Sequence, residues 1–257
     1  MNFLQLQHHR IEYARFPSAK ARPDAPPIVF LHEGLGSVAL WRDFPQQIAD
    51  ATGCEAVVYS RHGYGKSDAL REDRAVNYLH SEALHVLPEL LDKLKLKMPI
   101  LFGHSDGGSI ALIHAGSGVR PISGAIVLAP HVMVEEISLT GIRKTRESYL
   151  TTDLKQKLAR YHDNPDSAFW GWCNIWLHPE FRTWNIEEYL PSIACPILAV
   201  QGEGDEYGTM EHLDRIAAQA PSVELLKLAN CGHSPHRDQP AAILQATVNF
   251  VHRCLSL

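Results

Sequence analysis

The chain has 257 residues, 45% of them apolar, and a formal net charge of −5 from 24 basic and 29 acidic side chains. That length suits one large α/β domain or two small ones with a proper core. The mild negative balance, with no long basic run, argues against nucleic acid or anionic membrane as the main partner.

No apolar run approaches the ~18 residues of a membrane span. The start, Met1-Asn-Phe-Leu-Gln-Leu-Gln-His-His-Arg, has no basic region followed by an apolar core, so no signal peptide is read. Five scattered cysteines without a C-x-x-C suit reduced thiols, and the expected location is cytoplasmic.

Residues 2–16 alternate loosely (Phe3, Leu4, Leu6, then Ile11, Tyr13, Phe16), which predicts an antiparallel hairpin at a sheet edge. Residues 23–27 form a loop. Ile28-Val-Phe-Leu31 is a continuous apolar strand, as in a sheet covered on both faces. His32-Glu-Gly-Leu-Gly-Ser37 follows, then a helix over about 38–51 and a second buried strand over 54–59. Arg61-His-Gly-Tyr-Gly-Lys-Ser67 is a glycine-rich loop at that strand's end. Apolar positions at helical spacing over 76–96 predict one long amphipathic helix, bent at Pro88.

Pro99-Ile-Leu-Phe-Gly-His-Ser105-Asp-Gly-Gly-Ser-Ile-Ala-Leu then reads as a short strand, a sharp turn and a small-residue helix. Within it Gly103-His-Ser105-Asp-Gly107 is a G-x-S-x-G in the strand–turn–helix context of a nucleophile elbow. The glycines leave room for the strained turn, and the helix turns its positive end toward Ser105.

A further buried strand covers 123–129. From there the strand–helix rhythm stops. Residues 134–190 read as helices of mixed polarity and hold four of the five tryptophans, Trp170, Trp172, Trp176 and Trp184. The rhythm resumes with a strand over 196–201, a helix over about 209–220, a last strand Val223–Leu228, and a C-terminal helix from Pro240, with Asp238 as candidate cap. The expectation is an α/β fold with a mostly parallel sheet and helices on both faces, whose ligands sit at the carboxyl ends of the strands. Its core is 1–133 and 191–257, and 134–190 is a helical insertion.

A serine hydroxyl needs a base, and the base needs an orienting third group. In the order Ser…Asp/Glu…His, the acid follows a late strand and the histidine a later loop. Asp205 in Gly202-Glu-Gly-Asp205-Glu-Tyr-Gly and His233 in Asn230-Cys-Gly-His233-Ser-Pro-His fall at those places.

His32-Glu-Gly-Leu-Gly, Gly63-Tyr-Gly-Lys-Ser67, Gly103-His-Ser-Asp-Gly107, Gly202-x-x-Asp205 and Gly232-His233, in that order, resemble the α/β-hydrolase superfamily over nearly the whole chain. The resemblance implies Ser105 as nucleophile, His233 as general base and then acid, and Asp205 as orienter. It also implies an oxyanion hole from the backbone N–H of Asp106 and of Gly34, with Leu35 next in line, and a helical cap over 134–190.

Two positions depart from the family pattern. Glu33 stands where a glycine is usual, and the residue after the serine is the acid Asp106, read as turned away with only its N–H in use. Leu35, Trp170 and Trp176 are the expected pocket-lining residues, although core packing suits each tryptophan equally well.

Several rivals share the same loops. Glu203 and Glu206 compete with Asp205, and His236 with His233. Gly232 favours His233 because it allows close approach to the serine, which leaves His236 and His104 as packing residues. His233-x-x-His236 with Cys231 lacks a fourth zinc ligand. Gly34-Leu-Gly-Ser-Val-Ala39 resembles a dinucleotide fingerprint, with Arg61 placed to meet a 2′-phosphate, but it leaves the elbow and the late Asp and His loops unexplained.

The expected protein is therefore a cofactor-free serine hydrolase, a monomer or homodimer, acting on a small-molecule ester, thioester or lactone through an acyl-enzyme. A C–C bond hydrolase on the same triad and a non-catalytic ligand-binding receptor on the same fold are the alternatives.

Overall fold

The computed structural model describes residues 2–22 and 24–255. Met1, Pro23, Ser256 and Leu257 fall outside, and with Pro23 the first residue of the expected 23–27 loop. One eight-stranded sheet runs in the order β1-β2-β4-β3-β5-β6-β7-β8. Its strands are β1 (Asn2–Gln5), β2 (Arg10–Phe16), β3 (Ile28–Leu31), β4 (Ala56–Tyr59), β5 (Ile100–His104), β6 (Gly124–Leu128), β7 (Ile197–Gly202) and β8 (Val223–Leu228). The first two form the antiparallel edge hairpin that the alternation predicts. Strand β2 also runs antiparallel to β4, and the remaining pairs are parallel, with Ile28 opposite Ile100 and Gly103 opposite Val127.

Successive strand residues point to opposite faces, which is why the apolar runs divide into two cores. Val29, Leu31, Val57, Leu101 and Val127 face one core, and Ile28, Phe30, Val58, Phe102 and Ile126 face the other. Helices α1 (Phe44–Thr52) and α10 (Pro240–Leu255) cover the second face. The first face is covered by α2 (Tyr78–Ser81), α3 (Leu87–Lys93) and α4 (Asp106–Ser117), and by the segment between β6 and β7. That segment holds α5 (Glu136–Thr151), α6 (Leu154–Leu158) and α7 (Pro165–Trp176), so 134–190 is helical as expected. Helices α8 (Glu211–Gln219) and α9 (Pro235–Asp238) follow β7 and β8.

Three expected elements differ in detail. The 38–51 helix is a 3₁₀ turn Val38–Trp41 and then α1, divided where Arg42 adopts φ 55°, with Pro45 in the first turn of α1. The 76–96 helix is not simply bent at Pro88. A π turn, Glu82–Val86, runs between α2 and α3 directly before Pro88, which has no N–H to give the preceding turn, and the Ala83 carbonyl there accepts from His114 Nδ1 at 2.8 Å. The Asp238 carboxylate accepts the N–H of Gly232 at 2.8 Å, tying it to the loop that carries His233. Among the described residues no helix is long and apolar enough to cross a membrane.

Candidate active site

Strand β5 ends at His104, and α4 begins at Asp106, which leaves Ser105 alone to turn the chain. It does so with φ 52° and ψ −118°, a region that costs a non-glycine residue free energy. Its N–H is held at 2.8 Å by the carbonyl of Leu128 on β6. The turn has no room for side chains: a β-carbon on Gly107 would collide with the Leu31 carbonyl, and one on Gly103 with that of Gly107.

From this apex the Ser105 Oγ lies 3.0 Å from His233 Nε2. His233 Nδ1 lies 2.8 Å and 3.0 Å from the two carboxylate oxygens of Asp205. Asp205 Oδ1 also accepts the N–H groups of Tyr207 at 2.8 Å and Gly208 at 3.2 Å, and Oδ2 accepts from Gln201 Nε2 at 3.2 Å. Burial pushes the Asp205 carboxyl up, but His233 and the Tyr207 N–H outweigh it and hold it below its ordinary value. A hydroxyl bonded to an imidazole that is bonded in turn to an ionised carboxylate is the arrangement that makes a serine oxygen nucleophilic.

The rivals occupy supporting places. Glu206 accepts the His233 N–H at 3.3 Å, while Glu203 is exposed. His104 Nε2 donates to the His233 carbonyl at 2.7 Å. His236 is buried between the rings of Trp41 and His104, with centroids at 4.8 Å and 4.9 Å. Glu206 and His104 hold the His233 loop, and His236 packs beneath it.

A cavity of about 120 Å³ opens over Ser105. Leu35, His131, Ile142, Trp172, Trp176 and Tyr207 line it, together with Gly34 and Asp106. Leu35 and Trp176 are where the sequence placed them. Trp170 is not: its ring meets Tyr149 and Phe169, and Arg146 lies over it. Trp172 takes its place, because residues four apart share a helix face and residues two apart do not, so Trp172 and Trp176 look into the cavity together. His131 was missed as well, although it stands just past the carboxyl end of β6. Burial lowers its pKa well below the ordinary value, so it is neutral.

The two departures from the family pattern both lead to ionic contacts, partly exposed at Glu33 and buried at Asp106. Burial would raise the Glu33 carboxyl, but His104 and Arg237 more than offset it, at 3.5 Å and 3.3 Å. The Asp106 carboxylate takes a 2.7 Å bond from the Tyr78 hydroxyl and a 3.2 Å bond from Trp176 Nε1, and pairs with Arg61 at 3.4 Å. Arg61 is thus buried under the site, and the 34–39 segment leads into a 3₁₀ turn, which does not suit a dinucleotide loop. Among the described residues no three His, Cys, Asp or Glu side chains gather as a metal-binding group.

A family model of the alpha/beta hydrolase family matches residues 28–246. The chain belongs to the alpha/beta hydrolase family. This hydrolase is 22% identical over 251 residues to 2-hydroxy-6-oxo-6-phenylhexa-2,4-dienoate hydrolase of Burkholderia cepacia, covering 87% of each chain. It is 22% identical over 259 residues to 2-succinyl-6-hydroxy-2,4-cyclohexadiene-1-carboxylate synthase of Salmonella paratyphi C, covering 90% of the hydrolase and 95% of that protein. In fold it is similar to the enol-lactonase from Burkholderia xenovorans LB400, with a TM-score of 0.77 at 17% identity over 98% of the hydrolase and 100% of the lactonase.

Proposed function

We propose that the chain is a serine hydrolase of small, uncharged acyl substrates, carboxylic esters first, working through an acyl-enzyme. The observation that carries this is the continuous run of hydrogen-bonding contacts from Ser105 Oγ through His233 to Asp205 at the floor of an apolar cavity. His233 Nε2 takes the Ser105 proton as Oγ attacks the carbonyl carbon. The carbonyl oxygen becomes an oxyanion and accepts from the N–H groups of Gly34 and Asp106. His233 then returns the proton to the leaving alcohol. In the second half it takes a proton from water, whose oxygen attacks the acyl carbon, and it gives that proton to Ser105 Oγ as the acyl–oxygen bond breaks and the acid leaves. Asp205 keeps the Nδ1 proton toward itself throughout and balances the imidazolium.

The walls narrow the substrate. A space of about 120 Å³ is well below the ~300–1,000 Å³ of a site for a drug-sized ligand, so the acyl part is short or flat. C–C hydrolysis is the second reading, favoured by the name of the Burkholderia cepacia relative. A dienoate, however, would bring a carboxylate to a lining that has no Lys or Arg to receive it. An ester or lactone needs no such partner. Residues 134–190 serve in this scheme as the cap, supplying Ile142, Trp172 and Trp176.

The test is a fluorophosphonate probe on wild type and Ser105→Ala, then a panel of short acyl esters, lactones, thioesters and a dienoate. Labelling at Ser105 in wild type alone, with the fastest turnover on a neutral short-chain ester, is expected. Folded wild type that is not labelled overturns the mechanism, and a dienoate as best substrate overturns the substrate class.

A further inference from the structure

The first residue of the glycine-rich loop, Arg61, has no part in the proton transfers above, yet its side chain is fully buried. A buried guanidinium must spend its donors on acceptors, and the identity of those acceptors is informative. Nη2 donates to the Glu33 carbonyl at 2.9 Å. Nη1 and Nη2 both lie 3.4 Å from Asp106 Oδ2. Glu33 and Asp106 are the residues on either side of the proposed oxyanion site.

Besides Arg61, the Glu33 carbonyl has two further donors, the Gly36 N–H at 3.1 Å and the His32 ring. The Arg61 N–H donates to His32 Nε2 at 3.0 Å, so the ring proton of a neutral His32 is on Nδ1, which donates to the same carbonyl at 2.7 Å. Burial, the largest influence on His32, keeps that ring neutral. No peptide bond among the described residues is cis. In a trans peptide the C=O and the following N–H point in opposite directions. Fixing the Glu33 carbonyl toward Arg61 therefore directs the Gly34 N–H away from it, and Gly34 lines the cavity beside Ser105. A β-carbon on Gly34 would collide with the Trp172 indole, so the tryptophan closes over this peptide.

On the other side, the Asp106 N–H is one of the four at the start of α4 that no helical carbonyl satisfies. Its carboxylate, a threat to any developing oxyanion, is drawn aside by Arg61, Tyr78 and Trp176. We infer that Arg61 is a positioning residue that assembles the oxyanion site from beneath. It aims the Gly34 N–H by holding the Glu33 carbonyl, and it neutralises the carboxylate next to the Asp106 N–H.

This inference rests on the serine-hydrolase reading, and the two can fail separately. The experiment compares wild type, Arg61→Met, and Arg61→Met with Asp106→Asn, by turnover of a short-chain ester, by affinity for an alkylboronic acid, and by fluorophosphonate labelling. The boronic acid adds to the serine oxygen and places a boron-bound oxygen in the oxyanion site. For Arg61→Met we expect kcat to fall about 10²–10³-fold, the scale of a lost oxyanion donor, with KM unchanged within about threefold. Boronate affinity should fall in parallel.

The double variant leaves no unpaired carboxylate. It should recover about tenfold over Arg61→Met yet remain below wild type, because the Glu33 carbonyl still lacks its Arg61 donor. If Arg61→Met does not fold, the double variant carries the same kcat and boronate readouts. Wild type that labels and turns over normally, beside a folded variant with kcat and boronate affinity within about threefold of it, overturns the inference alone. Folded wild type that does not label overturns the hydrolase reading and the inference with it.

Discussion

Replacing Asp205 by asparagine separates the two things a carboxylate does behind a histidine, holding the tautomer and balancing charge. The surroundings decide how the amide sits. The N–H groups of Tyr207 and Gly208 converge on Oδ1, so the amide oxygen takes that position and the NH₂ takes the place of Oδ2. The oxygen then remains 2.8 Å from His233 Nδ1 and still accepts its proton. The ring keeps Nε2 free to receive the Ser105 proton, and what is lost is the negative charge, together with the bond from Gln201 Nε2 to Oδ2.

A unit charge about 4 Å from the imidazolium is worth about 4 kcal/mol at an effective dielectric constant of about 20. At 1.36 kcal/mol per decade, kcat should fall about 10³-fold. A reversed tautomer would cost about 10⁴-fold. The assay is kcat on a short-chain ester, paired with nitrogen NMR of His233 to read which ring nitrogen carries the proton. An Nε2–H tautomer in the variant, or a kcat within tenfold of wild type, refutes the reasoning.

Trp172→Leu should enlarge the cavity and shift acyl preference toward longer chains, by about 10-fold or more in relative kcat/KM; an unchanged chain-length profile would remove Trp172 from the acyl wall. Gly107→Ala should destabilise the fold by about 3 kcal/mol or more, because the atom in the way is a strand carbonyl that cannot step aside; calorimetry showing an unchanged midpoint would contradict the packing at the elbow. Burial raises the Glu135 carboxyl, but bonds with His212 and with the Thr209 N–H and hydroxyl bring it down to about 2. Such a depressed group contributes stability that is complete above its unfolded value of ~4.3 and is lost as pH falls toward the folded one. Glu135→Gln should therefore lose less stability than wild type as pH falls through that window, measured by urea midpoints, and an equal loss would argue against the assignment.

The elbow, the order of Ser105, Asp205 and His233, and the parallel sheet were legible because each leaves a local mark. Those marks are glycines where a β-carbon cannot fit, continuous apolar runs on doubly covered strands, and loops at strand ends. Helix interiors were less legible. Apolar spacing over 76–96 fits a regular helix and a helix with a π turn equally well, and a count of tryptophans in 134–190 does not say which helix face meets the serine. Trp170 and Trp172 are told apart only once α7 is oriented by its neighbours. Arg61 was the least legible residue, since its role depends on a charge 45 positions away. The clue in the sequence was Asp106 itself, an acid set beside the nucleophile that must find a cation if it is to be tolerated there.

The parts of the site hang from strands of unequal security. Ser105 follows β5, which is buried along its whole length in the middle of the sheet. His233 follows β8, an edge strand paired on one side only, with a single buried residue, Leu228. Edge elements with few buried contacts open at lower free energy than the core. Heat or mild denaturant should therefore part base from nucleophile while most of the sheet is intact. Loss of turnover then becomes an early alarm for the fraying of one margin of the molecule, sounding before any spectroscopic sign of unfolding.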